Sequence, residues 1–287
     1  MRGCQDSSAV CGTGRDEDMR PLGKHARTAG AAVRATVAPG ASRASGAGIA
    51  GVAPGVRQGI WLKEIGVSFR GTVVLDGVAF TASPGQVVGL MGPNGTGKTT
   101  LINVLAGLLC PQRGVGSICG APLGGRKRVP CGIMFEHPPF DDDRTGAENL
   151  RSLARLAGMS PQSAETAARD AMARVGLNPG SRTRVGRYSQ GMRKRLGFAQ
   201  AMLGKPALYL LDEPMNGLDP LAVIEMRAAL RHLAATGAIV VVSSHLLHEL
   251  SLVCDKAYML IDGSCFEVTD VEHLESVYVE HAAAYAR

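Results

Sequence analysis

The sequence predicts an α/β fold: a core built on a phosphate-binding loop, an antiparallel β subdomain beside it and a helical subdomain inserted within it. Three observations carry this. A glycine-rich loop, Gly92-Pro93-Asn94-Gly95-Thr96-Gly97-Lys98-Thr99, lies between an apolar run of strand length and a run with helical spacing. Apolar runs of strand length return at residues 207–211 and 238–242. Between the two blocks, over residues 140–198, the pattern keeps a helical period.

A chain of 287 residues with 45% hydrophobic and 20% charged content suits one large α/β domain or two modest ones. Residues 1–57 hold eight Arg and Lys against four Asp and Glu, and they contain no Phe, Tyr or Trp. Such a segment buries too little apolar surface to offset its ordering entropy, so a disordered, basic, Gly/Ala-rich tail is expected there. The alternative is a coding start placed too early, with translation beginning close to Ile60. The net charge of +6 belongs mostly to this tail, and a basic tail is more often solvated than bound to nucleic acid or membrane.

The longest apolar stretches, such as Ala238-Ile239-Val240-Val241-Val242, fall far short of the roughly 18 residues that a membrane span requires. The chain is not expected to cross a bilayer. Seven scattered cysteines without a C-x-x-C pair read as reduced thiols in the cytoplasm. The first thirty residues contain Asp16-Glu17-Asp18 and no apolar segment of a secretory signal.

The folded domain is expected over residues 58–287. Ile60 to Phe69 and Thr72 to Phe80 read as strands joined at Arg70-Gly71. Gln86 to Met91 is a buried strand running into the glycine-rich loop, and Thr100 to Leu109 leaves the loop as a helix. Residues 110–135 read as short strands broken by Gly114, Gly116, Gly120, Gly124 and Gly125.

Residues 140–198 read as helical throughout, within a helical subdomain of about 137–198. Thr145-Gly146-Ala147-Glu148 has the spacing of a capping box, followed by Leu150, Leu153, Ala154, Leu156 and Ala157 on one face. A second helix runs from Ser163 to Val175 and ends at Gly176. Strands return at Ala207 to Leu211 and Ala238 to Val242, with a helix between them from Pro220 to Ala235 that stops at Gly237.

The glycine-rich loop fills every position of the pattern G-x-x-x-x-G-K-[ST]. With 37 glycines in the chain, the bare pattern would arise by chance in on the order of a few per cent of such sequences. The strand before it and the helix after it lower those odds sharply. Glycines let the main chain wrap around phosphates so that amide N–H groups point inward at a helix N-terminus, where the dipole favours negative charge. Lys98 adds a cation for the β- and γ-phosphates, and the Thr99 hydroxyl can ligate Mg²⁺.

Leu208-Tyr209-Leu210-Leu211-Asp212-Glu213 is an apolar strand ending in two carboxylates. Asp212 suits the role of holding Mg²⁺ through water, and Glu213 that of general base on a water in line with the γ-phosphate. An Asp-Glu pair alone is usually a solvated strand end; in a chain that carries Lys98 it reads as catalytic.

Tyr188-Ser189-Gln190-Gly191-Met192-Arg193-Lys194-Arg195, placed so that Ser189 lies 23 residues before Asp212, resembles the signature sequence of the ATP-binding cassette ATPases. That family has a P-loop NTPase (RecA-like) core with the β and helical subdomains described. Ser189 and Gly191 open a helix whose free N–H groups suit a second anion, in the family the γ-phosphate held by the opposite subunit. Asn216-Gly217-Leu218-Asp219-Pro220 resembles the D-loop, with Asp219 also a plausible N-cap. Ser243-Ser244-His245 resembles the switch histidine, which could hydrogen-bond the γ-phosphate or the attacking water. Phe69 stands where the family stacks an aromatic residue, more usually Tyr, on adenine; a core position would suit it equally.

Carried over residue by residue, the resemblance implies nucleotide contacts at Phe69, Gly92, Asn94, Gly95, Gly97, Lys98, Thr99, Thr100, Ser189, Gly191 and Asp219. It implies metal contacts at Thr99, Glu136 and Asp212, and catalytic roles for Glu213 and His245. Glu136 stands where most members have the Gln of the Q-loop, and Gln190 and Met192 stand where Gly and Gln are commonest. These departures, with the ending His273-Leu274-Glu275-Ser276-Val277-Tyr278-Val279-Glu280, are similar to exporter ATPases of the bacitracin-resistance and lantibiotic-immunity type.

The leading expectation is therefore the nucleotide-binding subunit of an exporter. It would use ATP and Mg²⁺, pair head to tail with a second copy and drive a separate integral membrane permease for a drug or peptide antibiotic. It would sit in the cytoplasm, peripheral on the inner face of the cell membrane, without binding nucleic acid. The rival is a soluble cassette ATPase acting on DNA or ribosomes, which usually carries two cassettes, a coiled coil or a zinc module. A binding module that has lost hydrolysis is a third reading, opposed by Lys98, Asp212, Glu213 and His245. The intact mass of the natively expressed protein separates the two readings of the first 57 residues: an N-terminus near Met1 excludes the late start.

Overall fold

The computed structural model describes residues 58–285 apart from 126 and 128; the expected tail of residues 1–57 lies outside them. The elements run β1 (Ile60–Phe69), β2 (Thr72–Ala82), β3 (Val87–Met91), α1 (Lys98–Leu105), β4 (Arg113–Ile118), β5 (Ala121–Pro122) and β6 (Cys131–Met134). They continue with α2 (Gly146–Leu156), α3 (Pro161–Arg174), α4 (Gln190–Ala201), β7 (Leu208–Asp212), α5 (Pro220–Ala235) and β8 (Ile239–Ser243). α6 (Leu247–Ser251), β9 (Lys256–Ile261), β10 (Ser264–Val268) and α7 (Leu274–Tyr285) complete the order. No helix among the described residues is long and apolar enough to cross a membrane.

Two sheets form. The antiparallel one has the order β2-β1-β4-β5, and the larger has the order β10-β9-β3-β8-β7-β6, parallel except for β10. Strands β3, β7 and β8 are buried at every position because both faces of the sheet are covered, which explains their unbroken apolar runs. Alternate residues serve opposite layers. Val88, Leu90, Leu210 and Val241 pack with Leu101 and Ile102 of α1 and with the antiparallel sheet. Met91, Leu211 and Val242 face the layer that holds Leu196 and Phe198 of α4 and Leu230 of α5.

The helix starts obey their sequence signals. Thr145 and Glu148 exchange hydrogen bonds as a capping box, and Ser160, Ser189 and Asp219 accept at the N-termini of α3, α4 and α5. Three expectations need correction. α1 ends at Leu105 rather than Leu109, because Gly107 takes φ +67 and the N–H groups of Leu108 and Leu109 turn back to the Asn103 carbonyl. Residues 140–198 are not helical throughout: loops and one 3₁₀ turn at Val185–Arg187 separate α3 from α4. On α2 only Leu150 and Ala154 of the predicted stripe are buried, and Leu156 is 84% exposed.

Tight approach of β6 to the end of α4 fixes the edge of the large sheet. A Cβ on Gly132 would lie 2.0 Å from the Ala201 carbonyl oxygen and 3.1 Å from Pro206. Gly132→Ala is therefore expected to destabilise the fold by about 1–3 kcal/mol. Thermal unfolding followed by circular dichroism should show a midpoint lowered by several degrees; an unchanged midpoint would mean that β6 and α4 separate freely.

Candidate functional site

The parallel order places the carboxyl ends of β3, β8 and β7 side by side, with Leu90 opposite Ser243 and Ser243 opposite Asp212. Ligands of open α/β sheets bind at this edge. The loop after β3, the Asp212-Glu213 pair ending β7 and His245 after β8 therefore converge by topology.

Backbone geometry shapes the loop. Gly92, Gly95 and Gly97 have φ of +145, +84 and +103, a region that side chains rarely adopt. A Cβ on Gly92 would meet the Leu260 carbonyl oxygen at 2.3 Å, and one on Gly97 would meet Leu75 at 2.7 Å. A Cβ on Gly95 would meet nothing within 4 Å, which leaves that side open to a ligand. α1 begins at Lys98 with no side-chain cap, so its first N–H groups are free to meet an anion. Asn94 and Thr99 are exposed at the loop, and Thr100 is half-buried.

Lys98 is buried, and its Nζ donates to the carbonyls of Gly92 at 2.7 Å and Pro93 at 3.0 Å. Burial pushes its pKa below the usual lysine range, opposed by the charges of Glu213, Asp212 and Glu136. Asp212 is held on both oxygens: Thr99 Oγ1 donates to Oδ2 at 2.8 Å, and Ser243 Oγ donates to Oδ1 at 2.5 Å. A hydroxyl beside a carboxylate offers hard oxygen donors suited to Mg²⁺. Glu136, half-buried after β6, accepts from Asn216 Nδ2 at 3.5 Å.

Glu213 is buried in the left-handed region, with φ +49. Its N–H points at Ser243, lying 3.0 Å from Oγ and 3.2 Å from the carbonyl oxygen. Its Oε2 lies 2.9 Å from Nδ1 of the exposed His245. A carboxylate oriented by an imidazole, in a site whose interior is shielded from water, has the form of a base held in position.

Ser189, Gly191 and Asp219 lie at the starts of α4 and α5, with Ser189 and Asp219 exposed and Gly191 half-buried. Ser189 Oγ accepts from Met192 N at 3.2 Å at the start of α4, and Asp219 Oδ1 accepts from Ala222 N at 2.9 Å at the start of α5. A Cβ on Gly191 would touch nothing closer than 3.9 Å, so packing within this chain does not demand a glycine there. Phe69 is 47% exposed at the tip of the β1–β2 hairpin, which decides against a core role.

Two contributors escaped the sequence reading. Ser243 was legible only as part of the strand-end triplet, yet its hydroxyl joins Asp212 to the main chain of Glu213. Lys194 is buried and donates to the Glu213 carbonyl oxygen at 2.8 Å. Its helical spacing with Gly197, Phe198 and Ala201 was the available signal.

The model of the ABC transporter family matches residues 75–216. The ABC transporter ATP-binding protein YhcH of Bacillus subtilis, itself uncharacterised, is 36% identical over 74% of this chain and 70% of its own length. Nod factor export ATP-binding protein I of Burkholderia lata is 36% identical over 68% of this chain and 65% of its own. The solved ATP-binding subunit of an ABC transporter superposes with a TM-score of 0.69 at 29% identity, over 77% of this chain and 98% of that one. The ATP-binding cassette MJ0796, a dimer in a post-hydrolysis state with ADP and Pi, gives 0.67 at 21% identity, over 73% and 98%. The chain belongs to the ATP-binding proteins of ABC transporters, and its activity is ATP hydrolysis.

Ser243→Ala removes the donor to Asp212 and one acceptor of the Glu213 N–H. A hydrogen bond to a charged group contributes roughly 1.5–3 kcal/mol. Steady-state ATPase assays at saturating nucleotide should therefore show turnover reduced about 10–100-fold. Turnover equal to that of the unaltered chain would mean that the two carboxylates hold their positions without the hydroxyl.

Proposed function

We propose that this chain is the nucleotide-binding subunit of an exporter, hydrolysing ATP to drive a drug or peptide antibiotic through a separate membrane permease. The observation that carries it is the convergence of Lys98, Thr99–Asp212 and Glu213–His245 at one sheet edge. The relative named for Nod factor export favours the outward direction. The chain would work at the inner face of the cell membrane, bound to its permease.

In this reading the loop N–H groups and Lys98 grip the phosphates, and Phe69 stacks on the adenine. Thr99 and Asp212, with Glu136 nearby, would hold Mg²⁺, which when bound would offset the negative charge of the phosphates. Glu213 takes the proton of the attacking water. His245 keeps the Glu213 carboxylate aimed and donates towards the γ-phosphate side.

The exposed start of α4 supports pairing with a second copy. Ser189 is exposed and the half-buried Gly191 leaves room beside it, and each copy would complete the other's site head to tail, with Asp219 at the seam. The segment from Glu136 to Arg144 suits the permease contact. Its Asp142 pairs with Arg193 of α4 at 2.5 Å, so force applied there reaches the signature helix.

Glu213→Gln keeps the shape and removes the base. Turnover is expected to fall roughly 10²–10⁴-fold while ATP binding is retained, and size-exclusion chromatography with ATP should then show a trapped dimer. Unchanged turnover would take Glu213 out of this role. Copurification from membranes tests the partner: a hydrophobic multi-helix protein supports export, and nucleic acid or ribosomes in its place would overturn it.

A further inference from the structure

Lys194 is a buried cation to which the reading above gives no part. It sits in the second turn of α4, is only 4% exposed, and its Nζ donates at 2.8 Å to the main-chain carbonyl of Glu213. Burying an ammonium is costly unless it is paired and hydrogen-bonded. The carboxylates of Glu136, Glu213 and Asp212 face it from the ends of β6 and β7, while burial holds its pKa below the usual lysine range.

The residue it grips is itself strained. A non-glycine residue at φ +49 persists only where its surroundings over-determine it. Glu213 is tied on both sides: its N–H is held by Ser243 from β8, and its carbonyl accepts from Lys194 of α4 at 2.8 Å and, at 3.3 Å, from the Asn216 N–H of the following turn. Those ties fix the peptide planes on either side of the Glu213 Cα, and with them the direction in which the carboxylate leaves the main chain; of the two on the carbonyl, the ammonium's is the shorter and charge-assisted. One tie comes from the sheet, one from the local turn, and the Lys194 tie alone of these three from the helical insert.

We infer that Lys194 is a positioning residue for hydrolysis: its ammonium fixes the Glu213 main chain from α4, so the aim of the Glu213 carboxylate depends on where α4 sits. This rests on the general-base role proposed for Glu213. The preceding residue, Arg193, pairs with Asp142. Consecutive residues of one helix thus reach the 141–144 segment and the catalytic strand end.

The test is a double-mutant cycle on the full chain with ATP and Mg²⁺. Lys194→Met is expected to lower kcat about 10²-fold, as misplacement of a reacting group does, with KM for ATP within about threefold of the unaltered chain. Lys194→Arg keeps charge and donor, and a cavity of about 150 Å³ bordered by Glu136, Arg193 and Lys194 gives the larger head room, so most of the turnover should return. In the Glu213→Gln background, Lys194→Met should change the residual turnover by less than about threefold, because the carboxylate it aims no longer acts as base.

An equal fold-loss in both backgrounds would mark Lys194 as merely structural and overturn the inference, as would a Lys194→Met chain with unaltered kcat. Glu213→Gln with unaltered turnover would instead overturn the base role, and that failure appears without any change at position 194. Should Lys194→Met fail to fold, Lys194→Gln, neutral but one atom shorter, enters the same cycle.

Discussion

Three carboxylates, those of Glu136, Asp212 and Glu213, stand at one edge of the large sheet together with two buried lysines, Lys98 and Lys194. Like charges repel strongly where water is thin, so this edge holds only because donors and cations stand between them. Asp212 takes two hydroxyls, Glu213 takes an imidazole, and Glu136 takes an amide. A polyphosphate would add further negative charge to the same place. The free N-terminus of α1 and the left-handed glycines before it supply donors that no side chain needs to provide.

The fold can be read as the means of keeping that edge rigid and dry. Covering both faces of the parallel sheet leaves β3, β8 and β7 no freedom to shift, and the close approach of Gly97 to Val74 and Leu75 seats the loop on the antiparallel sheet. The Asp76 N–H donates to the Gly263 carbonyl at the β9–β10 turn, closing the same layer. The helical insert is joined differently: α4 reaches the site through side chains, not through a shared sheet.

Much of this was legible in the sequence because local chemistry and global need agree. The loop pattern, the apolar run ending in Asp212-Glu213, the capping box at Thr145 and the Asp219-Pro220 start of α5 each combine a propensity with a position. What was missed depended on contacts distant in sequence. No local signal marks Leu156 as exposed, since its helix has the right period but no neighbour among the described residues covers that end. Lys194 lies in the run Arg193-Lys194-Arg195, where charge suggests a solvated face; only the helical phase shared with Gly197 and Phe198 turns it inward. The end of α1 required weighing Gly107 against two following leucines, and the glycine prevailed.

The Ser243 hydroxyl gives one of its hydrogen bonds to Asp212 and receives another from the Glu213 N–H. One atom therefore serves both the carboxylate suited to the metal and the residue suited to activating water. Under the roles proposed for these residues, metal affinity and hydrolytic rate would be tied traits: a change at this strand end would shift both together. Under the same roles, independent adjustment is left to Lys194, outside the sheet, where substitution would retune turnover while the grip on the nucleotide stays as it was.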